Sequence, residues 1–125
     1  MKYLLASLFI LSSFSAVAAD SSYSGDSLSK LYLEMKYLYH AGTGVHQQFT
    51  TKDRVKLKAC KDEYGYISTR ARALVGMANR LNHPNKEEFI DAAWRAYACV
   101  TCGSPVSSCE ALPDDLAKIK AIITQ

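Results

Sequence analysis

The sequence predicts a small all-α domain, a four-helix bundle held by two disulfides after an N-terminal signal peptide. Two observations carry the helical part: apolar residues recur at spacings of three and four along most of the chain, and no segment alternates with period two for long enough to make a strand. A third carries the disulfides, since an even count of four cysteines in a 125-residue chain with an export signal points to cross-links rather than thiols or zinc. This length suits one hydrophobic core, so residues 20–125 are expected to form a single domain. At 49% apolar and 22% charged residues the composition is that of a globular chain and excludes a disordered one.

Residues 1–19 carry the export signal. Lys2 supplies a positive start, Leu4 to Leu11 with Phe14 and Val17 form an apolar stretch, and Ala16-Val17-Ala18-Ala19 offers small residues at a cleavage site before polar Asp20-Ser21-Ser22. The apolar stretch falls short of the roughly 20 residues a membrane span needs. Cleavage before Asp20 and release into the periplasm are therefore expected, with no stable membrane insertion afterwards. No cysteine lies near the cleavage point to take a lipid.

The first helix is expected over about 27–41. Asp26 or Ser27 can cap it, and Leu28, Leu31, Tyr32, Met35, Leu38 and Tyr39 form its apolar face. Gly42 reads as its C′ residue, which leaves 41–49 as a loop with His46, Gln47 and Gln48 at its far end. The second helix, about 52–82, is the most regular: Leu57, Cys60, Tyr64, Ile67, Ala71, Leu74, Ala78 and Leu81 are spaced 3, 4, 3, 4, 3, 4, 3. That phase holds across Gly65, predicting one continuous helix, and Asn82-His83-Pro84 ends it. Asn85 with Glu88 resembles a capping box for a third helix at about 86–102, with Phe89, Ile90, Ala93, Trp94, Tyr97 and Val100 turned inward. Pro113, Asp114 and Asp115 suit the first turn of a last helix over about 113–124, whose core positions are Leu112, Leu116, Ile119 and Ile123.

Four cysteines permit three pairings. The first choice is Cys60–Cys99 across the core with Cys102–Cys109 closing a short loop. The second is Cys60–Cys102 with Cys99–Cys109, because a one-residue change in the helix end exchanges the roles of Cys99 and Cys102. A direct Cys99–Cys102 bond comes third.

Functional motifs are sparse. Cys99-Val-Thr-Cys102 is a CxxC, the spacing of thiol–disulfide redox factors, yet it lies at a helix C-terminus, where the dipole disfavours a thiolate. Haem attachment needs histidine after the second cysteine, and Gly103 stands there. His40, His46, His83 and the cysteines have no metal-ligand spacing, so no metal or other cofactor is expected. No nucleophile elbow, zincin or phosphate-loop motif is present, and no catalytic residue is assigned. Removing residues 1–19 leaves 14 Lys and Arg against 12 Asp and Glu, a net charge of +2 that argues against nucleic acid as the partner.

What remains is surface. Lys52, Arg54, Lys56, Lys58 and Lys61 crowd the start of the second helix, and Tyr37 and Tyr66 fall off their apolar stripes. Exposed tyrosine is enriched at protein contacts. The sequence-level expectation is a non-enzymatic protein binder of the cell envelope, of the inhibitor or immunity type that neutralises a toxin or hydrolase. Its candidate contacts are Tyr37, Tyr66, His46, Gln47, Gln48, Lys52, Arg54, Lys56 and Lys58. An accessory subunit of a secretion or conjugation machine, and a redox factor using Cys99 and Cys102, are the alternatives.

Overall fold

A computed structural model describes residues 25–48 and 54–125, and among them all regular structure is helical. The elements are α1 (Gly25–Gln48), α2 (Arg54–Asn79), α3 (Lys86–Val100), the single turn α4 (Ser107–Glu110) and α5 (Leu112–Ile123). The four long helices pack together, and two disulfides tie them. The expected signal peptide and Lys52 lie outside the described residues.

Helix α3 sits at the centre and touches every other helix. Its inner positions explain how it can. Ala92, Ala93 and Ala96 are fully buried together with Phe89, Cys99 and Val100. Alanine's short side chain lets α1, α2 and α5 approach the α3 axis from different sides. Three other large residues of α3 lie on its flanks: Ile90 and Tyr97 are half-buried, and Trp94, expected in the core, is 53% exposed. Around this axis Met35, Leu38, Leu74, Leu112 and Ile119 complete the core.

Helix α1 runs to Gln48, so most of the segment expected as a loop at 41–49 is helical. Gly42 is a contact residue rather than a C′ residue. A methyl group there would stand 2.7 Å from the carbonyl oxygen of Cys99, and closer still to its sulfur, so glycine is what lets α1 lie against the end of α3. One turn on, Val45 is buried at 2% exposure and carries the core stripe to the end of the helix.

Helix α2 passes through Gly65 without a break, as its phase predicted, and stops at Asn79, three residues before the expected end; Leu81 beyond it remains buried. Nothing lies within 4 Å of where a Gly65 side chain would stand. Glycine within a helix is less stable than alanine by roughly 0.5–1 kcal/mol. Gly65→Ala is therefore expected to raise the stability by about that amount; a urea midpoint unchanged or lowered would contradict the open surface at this position.

The capping box at Asn85 does not form: the Asn85 side chain makes no capping bond. Its backbone N–H donates instead to Nδ1 of His83 at 3.0 Å, while the His83 ring packs edge-on against Phe89. Helix α3 ends at Val100, two residues early, because Thr101 turns extended (φ −80°, ψ 124°). That shift decides the cross-links. The extended residue swings Cys102 back to α2, where it pairs with Cys60 (Cα–Cα 6.0 Å), while Cys99 stays on the inner face and pairs with Cys109 of α4 (Cα–Cα 4.6 Å). The first-choice pairing is corrected to the second. Gly103, at φ +87°, makes the turn that follows.

The contacts give the helix directions. Cys60 near the start of α2 joins the end of α3, and Arg70 late in α2 pairs with Glu34 early in α1, so α2 runs antiparallel to both. Arg95 of α3 contributes one further tie: its Nη1 donates to both Asp115 carboxylate oxygens at 2.6 Å, satisfying the one buried charged side chain among the described residues. Hydrogen bonding to Asp115 is the leading cause that raises the Arg95 guanidinium above its ordinary value, so the partner of this carboxylate stays charged.

Candidate functional site

The two tyrosines nominated from sequence lie on α1 and α2, linked through Arg70 of α2. Tyr37 of α1 and Tyr66 of α2 are 41% and 65% exposed. Arg70, one turn after Tyr66, holds its guanidinium 4.1 Å from the Tyr37 ring centroid, a cation–π contact. The same guanidinium forms a two-armed pair with Glu34, Nε to Oε1 and Nη2 to Oε2, the second at 2.8 Å. Hydrogen bonding to Glu34 is the largest cause that raises Arg70 above its ordinary value, and Coulomb attraction from Glu34, Tyr37 and Tyr66 adds to it. The charge is permanent and the side chain is fixed in direction. Leu33, 60% exposed and four residues before Tyr37, extends the patch along α1.

This cluster has a counterpart on the other edge of α2. Arg72 lies two residues after Arg70, about 200° around the helix at 100° per residue. It reaches α3, where Nη2 donates to the Tyr97 hydroxyl at 3.3 Å and the guanidinium carbon stands 5.9 Å from the ring centroid. That hydrogen bond is the main cause of its raised pKa. Tyr97 in turn meets the exposed Trp94 edge-on, with centroids 5.8 Å apart. Sequence reasoning missed this second cluster because it assigned Trp94 to the core.

His46 and Gln47 are placed elsewhere. They lie on the last turn of α1 and line a groove of about 370 Å³ with Tyr39, Thr43, Val106, Cys109 and Glu110. His46 is half-buried; its Nε2–H donates to the Cys99 carbonyl at 3.1 Å, the partner being acceptor-only. Its visible role is to hold the end of α1 on α3. The Gln48 side chain is outside the described residues. Of the basic group, Arg54, Lys56, Lys58 and Lys61 are exposed on α2, with Lys58 paired to Asp62 at 2.6 Å. Hydrogen bonding to Asp62 is the first cause that raises the Lys58 ammonium.

The cysteines of the CxxC are bonded to different partners, so the sulfur–sulfur bond a CxxC redox couple cycles through is not formed. Among the described residues no group of three or more His, Cys, Asp or Glu side chains is arranged to hold a metal. No described helix is long and apolar enough to cross a membrane. No family model, curated protein or solved structure matches this chain.

Proposed function

We propose that the protein acts by binding another protein in the periplasm, as an inhibitor or immunity-type factor that blocks an envelope-acting toxin or hydrolase without catalysing a reaction. The observation that carries this reading is Arg70 held by Glu34 against the exposed Tyr37 ring, one helical turn from exposed Tyr66. Tyrosine and arginine are the residue types that dominate binding energy at protein contacts. A fixed aromatic–arginine cluster loses little side-chain freedom on binding. Glu34 and the Tyr37 ring hold the guanidinium before a partner arrives. Two disulfides fit the oxidising compartment that the N-terminal signal addresses, and they stiffen the frame on which α2 presents Tyr66 and Arg70.

Capture of an envelope partner by the immobilised 20–125 chain tests this. The double variant Tyr37→Ala/Tyr66→Ala is expected to weaken retention at least 30-fold, which corresponds to about 2 kcal/mol. Retention equal to wild type would remove this surface from the function. Turnover of a disulfide substrate by the purified protein, with nothing captured, would replace binding by redox chemistry.

A further inference from the structure

We infer that Arg72, Tyr97 and Trp94 form a second anchor for the same partner, and that the partner lays a carboxylate-bearing surface across the outward ridge of α2 to reach both clusters at once. This rests on the binding role proposed above.

Three observations point there. Trp94 is the chain's single tryptophan, and it is 53% exposed although the fold has a core that could have buried it. It does not stand alone: Tyr97 supports it edge-on, and Arg72 is tethered to the Tyr97 hydroxyl. Trp, Tyr and Arg are the three residue types most enriched among binding hot spots. The second observation is geometric. Arg70 and Arg72 point to opposite edges of one helix, and a helix with its side chains is only about 10–12 Å across. Any element covering the ridge between them meets Tyr37, Tyr66 and Arg70 on one side and Arg72, Tyr97 and Trp94 on the other.

The third is charge. Residues 54–80 hold seven Lys and Arg against Asp62 and Glu63, a net of +5. The remainder of the 20–125 chain, with seven Lys and Arg against ten Asp and Glu, is at −3. A mildly basic protein therefore gathers its positive charge on the helix that separates the two clusters and on Arg80 just after it. Glu87 and Asp91, exposed on the first half of α3, bound the basic area beyond Trp94. Such a layout favours carboxylates over α2 and speeds their approach.

Because Trp94 is the sole tryptophan, its fluorescence reads this surface directly. The oxidised 20–125 chain would be titrated with poly-L-glutamate as an acidic polypeptide, and separately with phosphatidylglycerol vesicles. Poly-L-glutamate is expected to shift the Trp94 emission saturably. Arg72→Gln is expected to raise the midpoint at least fivefold, and Arg54→Glu/Lys56→Glu/Lys61→Glu at least tenfold, with unfolding midpoints kept near wild type. No shift with poly-L-glutamate, a shift indifferent to both variants, or a shift produced by the vesicles alone would overturn the inference. In the capture experiment, a partner lost with Tyr37→Ala/Tyr66→Ala but held at full strength by Arg72→Gln/Trp94→Ala would leave the binding role standing and remove the second anchor.

Discussion

Replacing Cys60 and Cys102 together by alanine is expected to lower stability by about 4 kcal/mol, because their bond closes a loop with a sequence separation of 42. In a domain of this size the loss shifts the thermal midpoint by on the order of 20 °C. The bond does local work as well: beyond Val100 the chain leaves the helix, and Cys102 is the residue that returns it to α2. Chemical denaturation of the oxidised double variant checks this. A loss under about 1 kcal/mol would mean that the unfolded chain is already compact between these positions. The Cys99→Ala/Cys109→Ala variant separates the two bonds, since its shorter loop, with a separation of 10, is worth about 3 kcal/mol in the same model.

The second large effect belongs to Gly42→Ala. One methyl group would enter a space bounded by the sulfur and the backbone carbonyl of Cys99, the latter 2.7 Å away. Neither is the end of a flexible side chain, so relief requires α1 to move off α3. Overpacking of this kind costs about 1–3 kcal/mol, and a backbone collision falls at the upper end or beyond. The His46 bond to the Cys99 carbonyl lies one turn further along α1 and would be strained by the same displacement. Gly44→Ala supplies the control, since nothing stands within 4 Å of the added carbon, and it is expected to gain roughly 0.5–1 kcal/mol. Equal denaturation midpoints for the two alanine variants would refute the close approach at Gly42.

The helical content, the continuity of α2 and most of the core were legible because they depend on periodicity, which a single chain displays directly. Where the reading failed, the cause was a contact between elements distant in sequence. Gly42 looked like a helix end because glycine often is one. The spacing Leu28, Leu31, Met35, Leu38, Gly42, Val45 keeps the 3-4 rhythm, however, and could have carried α1 onward. Trp94 was assigned to the core as part of the apolar stripe of α3, yet this central helix, packed from several sides, buries Ala92, Ala93 and Ala96 beside Phe89 and leaves Trp94 on its flank. The disulfide pairing turned on where α3 stops, and helix ends are the least determined feature of any sequence pattern.

The candidate site divides the same way. Tyr37 and Tyr66 were found because residues that break an apolar stripe should be exposed, and that inference needs no tertiary knowledge. Arg70 and Arg72 escaped notice as members of a charge-rich helix. Only the packing of α2 against both α1 and α3 selects these two cations from the rest, by giving each an aromatic ring to lean on.

The cross-links tie α2, α3 and α4 covalently into a frame and leave α1 and α5 attached to it by backbone alone. The spans 60–102 and 99–109 overlap, so a peptide bond broken between α2 and α3, or in the turn after Cys102, leaves both pieces joined through sulfur. Helix α1 contains no cysteine and stands outside that frame, held by Leu28, Leu31, Met35, Leu38 and Val45, by the Arg70–Glu34 pair and by His46. A break between α1 and α2 would therefore turn one chain into two, able to separate and to re-form, or to trade α1 with a neighbouring copy. Tyr37 travels with the detachable piece, while Tyr66 and Arg70 stay with the frame. The first aromatic–arginine cluster is thus assembled across a seam that no covalent bond crosses except the backbone itself.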